Sequence, residues 1–345
     1  MDAHGAILPR GGAKRRLRYH GGMIRSSVVA SLLLALCSRA QAAPTLAQIG
    51  ADLGLDADAI ARVQKGALVQ AFPKEVSERD LAVGFVFMVK RPPAEVAAAF
   101  RRFGDMSADP NVLATHQLAS AADLDGLHLG THGDDEAKRY RAARPGDELN
   151  LGASELAAFA KLGANASTAD VERTLRAVLF ARYQAYRARG LDGIEPYARA
   201  DGSRDGAAEV RAALQKALPV VQKYTPAFAD VLAHYPKGRP AGLEESYHWI
   251  LYNLDNRPTP TLRHRMTLAV DGGLVAADRE LYVGHGYNVM QALGALLPVE
   301  GGTVVFYGAH TSTDQVGGRS TALKHSIGRR VMAKQLEKIF EHFTK

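Results

Sequence analysis

Two stretches of strict two-residue alternation near the carboxy-terminal end constrain this chain most. In Leu262–Val270, Leu262, His264, Met266, Leu268 and Val270 fall on one face, and Arg263, Arg265 and Thr267 on the other. In Leu274–Val283, Val275, Ala277, Arg279, Leu281 and Val283 share a face. A period of two belongs to a strand, because successive side chains leave a pleated backbone on opposite sides. Between the two runs stands Asp271-Gly272-Gly273, which supplies the backbone freedom of a tight turn, so the strands pair as an antiparallel hairpin.

Further strands read at Tyr247–Leu254, Thr303–Ala309 and, early in the chain, Leu81–Val89, where Leu81, Val83, Phe85, Phe87 and Val89 alternate cleanly. Arg91-Pro92-Pro93 stops that strand, and a helical period resumes over Ala94–Phe103 with Pro93 suited to the first turn. Leu46–Leu53 and Ala57–Val69 are helix-like. The stretch from about 153 to 235 reads as almost entirely helical, with Ser154 and either Ser167 or Thr168 as N-caps. Its main stripe is Val171, Leu175, Val178, Leu179, Tyr183 and Tyr186, ending near Gly190. Met290–Leu297 reads as a short helix before Pro298. The chain closes on an amphipathic helix with Ile327, Val331, Leu336, Ile339, Phe340 and Phe343 on one stripe. The expected class is therefore α+β: a curved antiparallel sheet packed on a long C-terminal amphipathic helix, with a large helical insertion, all in one domain over residues 43–345.

Met23–Ala42 has the order of a secretory signal: Arg25, an apolar run Val28–Leu36, then Ala40-Gln41-Ala42, with cleavage expected after Ala42. The apolar run is far short of the roughly 20 residues a membrane span needs. Residues 1–22 read as an upstream misread start. The expected location is periplasmic or secreted. The chain has 43 Lys and Arg and 36 Asp and Glu, but the first 42 residues hold seven basic residues and one acidic residue. The remainder carries 36 against 35, a formal charge of +1, which gives no footprint for nucleic acid. The only cysteine, Cys37, lies in the same leader, behind Leu36 where a lipidation signal requires a small residue. The exported chain is thus expected to lack disulfides and thiolate metal sites.

The strand Leu81–Val89 followed by Arg91-Pro92-Pro93-Ala94-Glu95-Val96-Ala97-Ala98-Ala99-Phe100 resembles the opening of START/Bet v 1-like helix-grip proteins. Late antiparallel strands before one long C-terminal helix are similar too. The resemblance covers about half the exported chain, and the helical zone from 153 to 235 exceeds the family's usual insertion. It implies a sheet gripping the last helix around an apolar cavity for a lipid or another hydrophobic molecule. The tail phrases Tyr282-Val283-Gly284-His285-Gly286-Tyr287-Asn288 and His310-Thr311-Ser312-Thr313-Asp314-Gln315-Val316-Gly317-Gly318 also resemble those of exported bacterial proteins without an assigned role.

His264 and Arg279 are the residues out of place on otherwise apolar faces. Each is either a satisfied core group or a polar group facing a cavity. A guanidinium among apolar side chains needs an anion, whether Glu245, Glu280 or a ligand carboxylate. In the cavity reading, His264, Arg279, Tyr252, His248 and Phe306 would bind an acidic or hydrophobic amphiphile. The rival reading is a hydrolase or lyase using His310 and Asp314 with His285, since a carboxylate can fix an imidazole tautomer. No Gly-x-Ser-x-Gly elbow accompanies it, and Thr311, Thr313 and Asp314 also suit a hydrogen-bonded turn. No cofactor or metal is expected. A third reading is a structural or partner-binding envelope protein, which would carry a contiguous exposed apolar patch.

Overall fold

The alternating segments form the strands their pattern dictates, and most run longer than the pattern alone indicated. A computed structural model describes residues 44–71, 73–103, 109–130, 133–318 and 320–344, so the expected export signal and its leader lie outside the described residues. The chain opens with α1 (Leu46–Asp52) and α2 (Ala57–Gln64), then β1 (Val69–Gln70), β2 (Asp80–Val89), α3 (Pro93–Phe103) and β3 (Val112–Gln117). A helical stretch follows: α4 (Gly133–Arg141), α5 (Ala153–Ala160), α6 (Thr168–Arg189), a small hairpin of β4 (Tyr197–Arg199) and β5 (Gly202–Arg204), then α7 (Gly206–Tyr224) and α8 (Pro226–His234). Five long strands and a helix complete it: β6 (Glu244–Leu254), β7 (Arg257–Val270), β8 (Gly273–Val283), β9 (Val289–Val299), β10 (Gly302–Ser312) and α9 (Thr321–Thr344).

The fold is α+β. Eight strands form one sheet in the order β1-β2-β10-β9-β8-β7-β6-β3, and their pairings are antiparallel. The helical stretch is inserted between β3 and β6, which are themselves neighbours, so the insertion leaves and rejoins the sheet at the same edge. Asp271 (φ 32°) and Gly272 (φ 79°) make the β7–β8 turn as expected. The β6–β7 turn is made by Asp255 (φ 51°) and Asn256 (φ 59°), residue types that tolerate the left-handed region. β7 therefore begins at Arg257, five residues before its expected start. Pro258 and Pro260 sit where β7 pairs with β6 only, since the β8 ladder starts at Thr261, and there the missing N–H costs no ladder bond.

Three sequence readings are corrected. Met290–Leu297 lies in strand β9, not a helix: it is flanked by β8 and β10 and covered on both sides, so it shows no alternation to identify it. α5 is capped at Gly152, not Ser154; the Glu155 carboxylate reaches back to accept from the Gly152 N–H at 2.7 Å. On α9, Ile327 and Val331 are exposed rather than buried. A Cβ at Gly328 would stand 2.8 Å from Leu81, so this glycine lets the helix approach β2 on the face of His325, Ala333 and Phe340. The side chains of Ile339 and Phe343 are outside those described.

Helices cover both faces. On one, α3 and α9 pack Val96, Ala97, Ala333 and Phe340 against Val83, Phe85, Phe87 and Val89. The Phe340 ring lies 5.7 Å from Phe85, 5.6 Å from Phe87 and 5.2 Å from Tyr307, and this interface is filled with rings. On the other face, Tyr183 and Tyr186 of α6 and Phe228 and Leu232 of α8 cover Trp249, Leu262, Met266 and Val275. At the β2 end, Leu46, Ile49 and Val63 of α1 and α2 cover Val86 and Val304 on that same face.

Candidate functional site

Strand register sets a row of polar side chains across the second face. Tyr247 of β6 stands opposite His264 of β7, His264 opposite Arg279 of β8, Arg279 opposite Gln291 of β9, and Gln291 opposite His310 of β10. Cross-strand partners have Cβ atoms about 5 Å apart, so such a row can pass hydrogen bonds from strand to strand.

At the β6–β8 end the row is sealed under α6 and α8. Arg279 is fully buried and donates from Nε to Gln291 Oε1 (2.8 Å), from Nη1 to the Tyr186 hydroxyl (2.9 Å) and from Nη2 to the Leu232 carbonyl (3.4 Å). The Tyr186 hydroxyl donates to His264 Nδ1 (3.0 Å), and His264 Nε2 donates to Glu245 Oε1 (3.2 Å). That direction of donors makes His264 a neutral imidazole. Burial, helped by the Arg279 charge, lowers its pKa to about 4 against the opposing pull of Glu245. The Glu245 carboxyl is pushed up by burial, but His264 and Arg239 outweigh this and hold it below its ordinary value. Arg279 thus uses neutral acceptors; Glu245 serves His264 and Arg239 (3.2 Å), and Glu280 points to the opposite face. The expectation of Glu245 or Glu280 beside Arg279 is corrected: several neutral oxygens share its charge instead.

At the β8–β10 end the same row opens into a cleft of about 410 Å³ beneath α7, bounded at one end by Ile49–Gly54 and by Pro73 and Lys74. Its walls are apolar and small residues line it from both sides, Ala213 and Ala217 on α7 and Ala295 and Gly308 on the strands, with Leu293, Phe306 and Val221 beside them. Opposed alanines and glycine leave a gap that larger side chains would have filled. Gln291 and His310 supply the polar floor, while Asp52, Lys74, Lys216 and Tyr224 stand among the lining groups nearer solvent. From Ala213 to Tyr224 the cleft follows α7 for about 16 Å at the helical rise.

Beyond Gln291 and His310 lies a second hollow of about 10 Å³, lined by Ser77, Asp80, Glu209, Val289, Gln291, His310 and Ser312. His310 Nδ1 donates to Asp80 Oδ2 (2.8 Å), which also accepts from the Val76 N–H (2.9 Å). Glu209 Oε2 is buried without a hydrogen-bond partner, and burial raises the pKa of its carboxyl.

Of the residues singled out in the sequence, Phe306 and His310 line the cleft, while Arg279 touches it only through Gln291 and His264 lies under the tyrosines. Tyr252 and His248 project to the opposite face, where the Tyr252 hydroxyl donates to Glu280 Oε1 (3.0 Å) and His248 stands opposite Arg263. His310, Asp314 and His285 do not converge. Asp314 is held by Arg79 (3.0 Å), Arg199 (3.0 Å) and Arg204 (2.7 Å), and His285 Nε2 meets the Thr259 hydroxyl (2.6 Å). Burial and then Arg257 lower His285 to about 4. Gln291, Asp80, Glu209 and the alanines of α7 carried no sequence signal; only the alternation through Phe306 and Gly308, extended to His310, could have found the floor. No group of three or more metal-ligating side chains forms among the described residues. In comparison with known proteins, no family model, curated protein or solved structure matches this chain.

Proposed function

We propose that the protein binds a hydrophobic or acidic amphiphilic small molecule, lipid-like in shape, in the cleft beneath α7. The observation that carries this reading is an apolar volume of about 410 Å³, within the range of small-molecule sites, whose polar groups are confined to its floor and rim. A chain lying along α7 would bury its methylenes against Ala213, Ala217, Leu293 and Phe306, each worth about 0.8 kcal/mol when fully buried. The exposed Lys74 and Lys216 among the lining residues would favour an anionic head group. This placement differs from the helix-grip expectation, since the ring-filled interface under α9 is on the other face. A START-like relationship and export to the periplasm or beyond stay part of the proposal. No helix among the described residues is long and apolar enough to cross a membrane.

Displacement of anilinonaphthalene sulfonate by fatty acids of graded chain length tests the reading. Saturable binding that tightens with length up to the reach of the cleft is expected, together with a lipid-like species in native mass spectra of the purified protein. Ala217→Trp fills the gap and should abolish binding while the protein stays folded. A wild-type protein that neither binds the dye nor carries any such species overturns it.

A further inference from the structure

The closed end of the cleft has features a passive binding pocket does not require. His310 belongs to both hollows, its Nδ1 is engaged by a carboxylate, and Nε2 has no hydrogen-bond partner among the described residues. Asp80 is itself fixed, through the Val76 N–H and its place at the start of β2 opposite Ser312. The 10 Å³ hollow beside the imidazole has room for a single water. Across it, the Glu209 carboxyl has the Ser312 hydroxyl as a neighbour, but its Oε2 is buried without a hydrogen-bond partner of its own. A water held between the imidazole Nε2 and Glu209 Oε2 would donate one hydrogen to each and turn its lone pairs outward.

From this geometry we infer that the closed end of the cleft is a hydrolytic site, in which His310 acts as general base on a water that attacks a carboxylic ester whose chain lies in the cleft. The inference rests on the binding reading above. The ester carbonyl sits where the two hollows meet, beside Ala213, Gln291 and His310, with acyl chain and alcohol both on the open side because the small hollow admits no leaving group. Water oxygen forms a bond to the carbonyl carbon, the carbonyl π pair moves to oxygen, and the water proton passes to Nε2. The imidazolium so formed is balanced by Asp80. The tetrahedral intermediate collapses, the carbon–alkoxy bond breaks, and the alkoxide takes the proton back from Nε2. The products are a carboxylic acid and an alcohol, with no oxidant, metal or enzyme-bound acyl group. His310 and Glu209 touch the reacting water; Asp80 is a positioning residue that fixes the tautomer.

The test uses the purified protein with nitrophenyl butyrate, octanoate and dodecanoate, following nitrophenolate release. Turnover that rises with acyl length and saturates is expected. His310→Asn should lower kcat about 100-fold or more. Asp80→Asn should lower kcat with KM unchanged, as loss of a tautomer would and a loosened fold would not. Glu209→Leu should lower kcat by about tenfold or more. Circular dichroism and melting establish which variants are folded; should the two β-strand variants unfold, Glu209→Leu on α7 carries the test. Wild-type protein that binds the dye and fatty acids yet releases no nitrophenolate above buffer overturns the hydrolytic site and leaves the binding reading standing. Release undiminished in a folded His310→Asn or Glu209→Leu variant overturns it as well. Absence of both binding and release overturns both.

Discussion

Arg279 shows what a single misplaced side chain in a sequence can and cannot reveal. Alternation put it on an apolar face with His264, and both are there, fully buried. The partners were illegible, because Tyr186, Leu232 and Gln291 come from elements 93, 47 and 12 residues away. Replacing Arg279 by Leu strips one donor from each of three acceptors, and a stability loss of about 3 kcal/mol is expected in urea unfolding. His264 and His285 predict a pH dependence. Both have pKa values near 4 when folded, below the ordinary 6.5, so between those values the unfolded chain binds protons that the native one refuses. Their contribution is complete above about pH 6.5 and is lost as pH falls toward 4, with His264 alone worth about 3 kcal/mol. Glu209 and Glu280, whose carboxyls are raised by burial, work in the opposite sense. Unfolding midpoints measured at pH 7.5 and pH 5 should therefore drop on acidification, and less so in His285→Gln.

Legibility was uneven among the elements for one physical reason. β7, β8 and β2 carry alternating or turn-bounded patterns, whereas β9 is covered on both faces and gives an apolar run that fits helix and strand alike. The β4–β5 hairpin, three residues a side, is too short to show any period. α7 was found as a helix, but nothing in its alanines announced that they would face a gap. β2 also depends on a close approach: a Cβ at Gly84 would stand 2.3 Å from the Ala71 carbonyl and 3.1 Å from that of Tyr307. The Ala71 N–H donates to the Gly84 carbonyl at 2.8 Å, and Ala71 in turn lines the cleft. Gly84→Ala should therefore cost about 2 kcal/mol or more in thermal unfolding and weaken dye binding together with it, since the strand edge that walls the cleft must move.

At the level of the whole molecule, the sheet separates two different interiors. The α3 and α9 side is packed with rings, and the α7 side is partly hollow. Occupation of that hollow adds stability by mass action: a fatty acid present at about 100 times its Kd should add about 2.7 kcal/mol, read as a rise in melting temperature that Ala217→Trp does not show. The α+β class was legible from pattern alone. Which face holds the cavity was not, because that depends on the insertion returning to cover the sheet it left.

Asp314 gathers guanidinium groups from three places, Arg79 ahead of β2 and Arg199 and Arg204 on the small hairpin, across 235, 115 and 110 residues of chain. Asp314 is the one anion shared by all three cations, with the more exposed Glu78 (3.0 Å from Arg79) and Asp201 (3.2 Å from Arg204) at the margin, and ionic strength should act on this clasp in a telling way. In the native protein added salt only screens the attraction. In Asp314→Asn the shared attraction is gone and three positive charges confront one another with only the exposed Glu78 and Asp201 to offset them, so salt becomes a remedy. Melting curves for this variant should climb with sodium chloride while those of the parent stay level or fall.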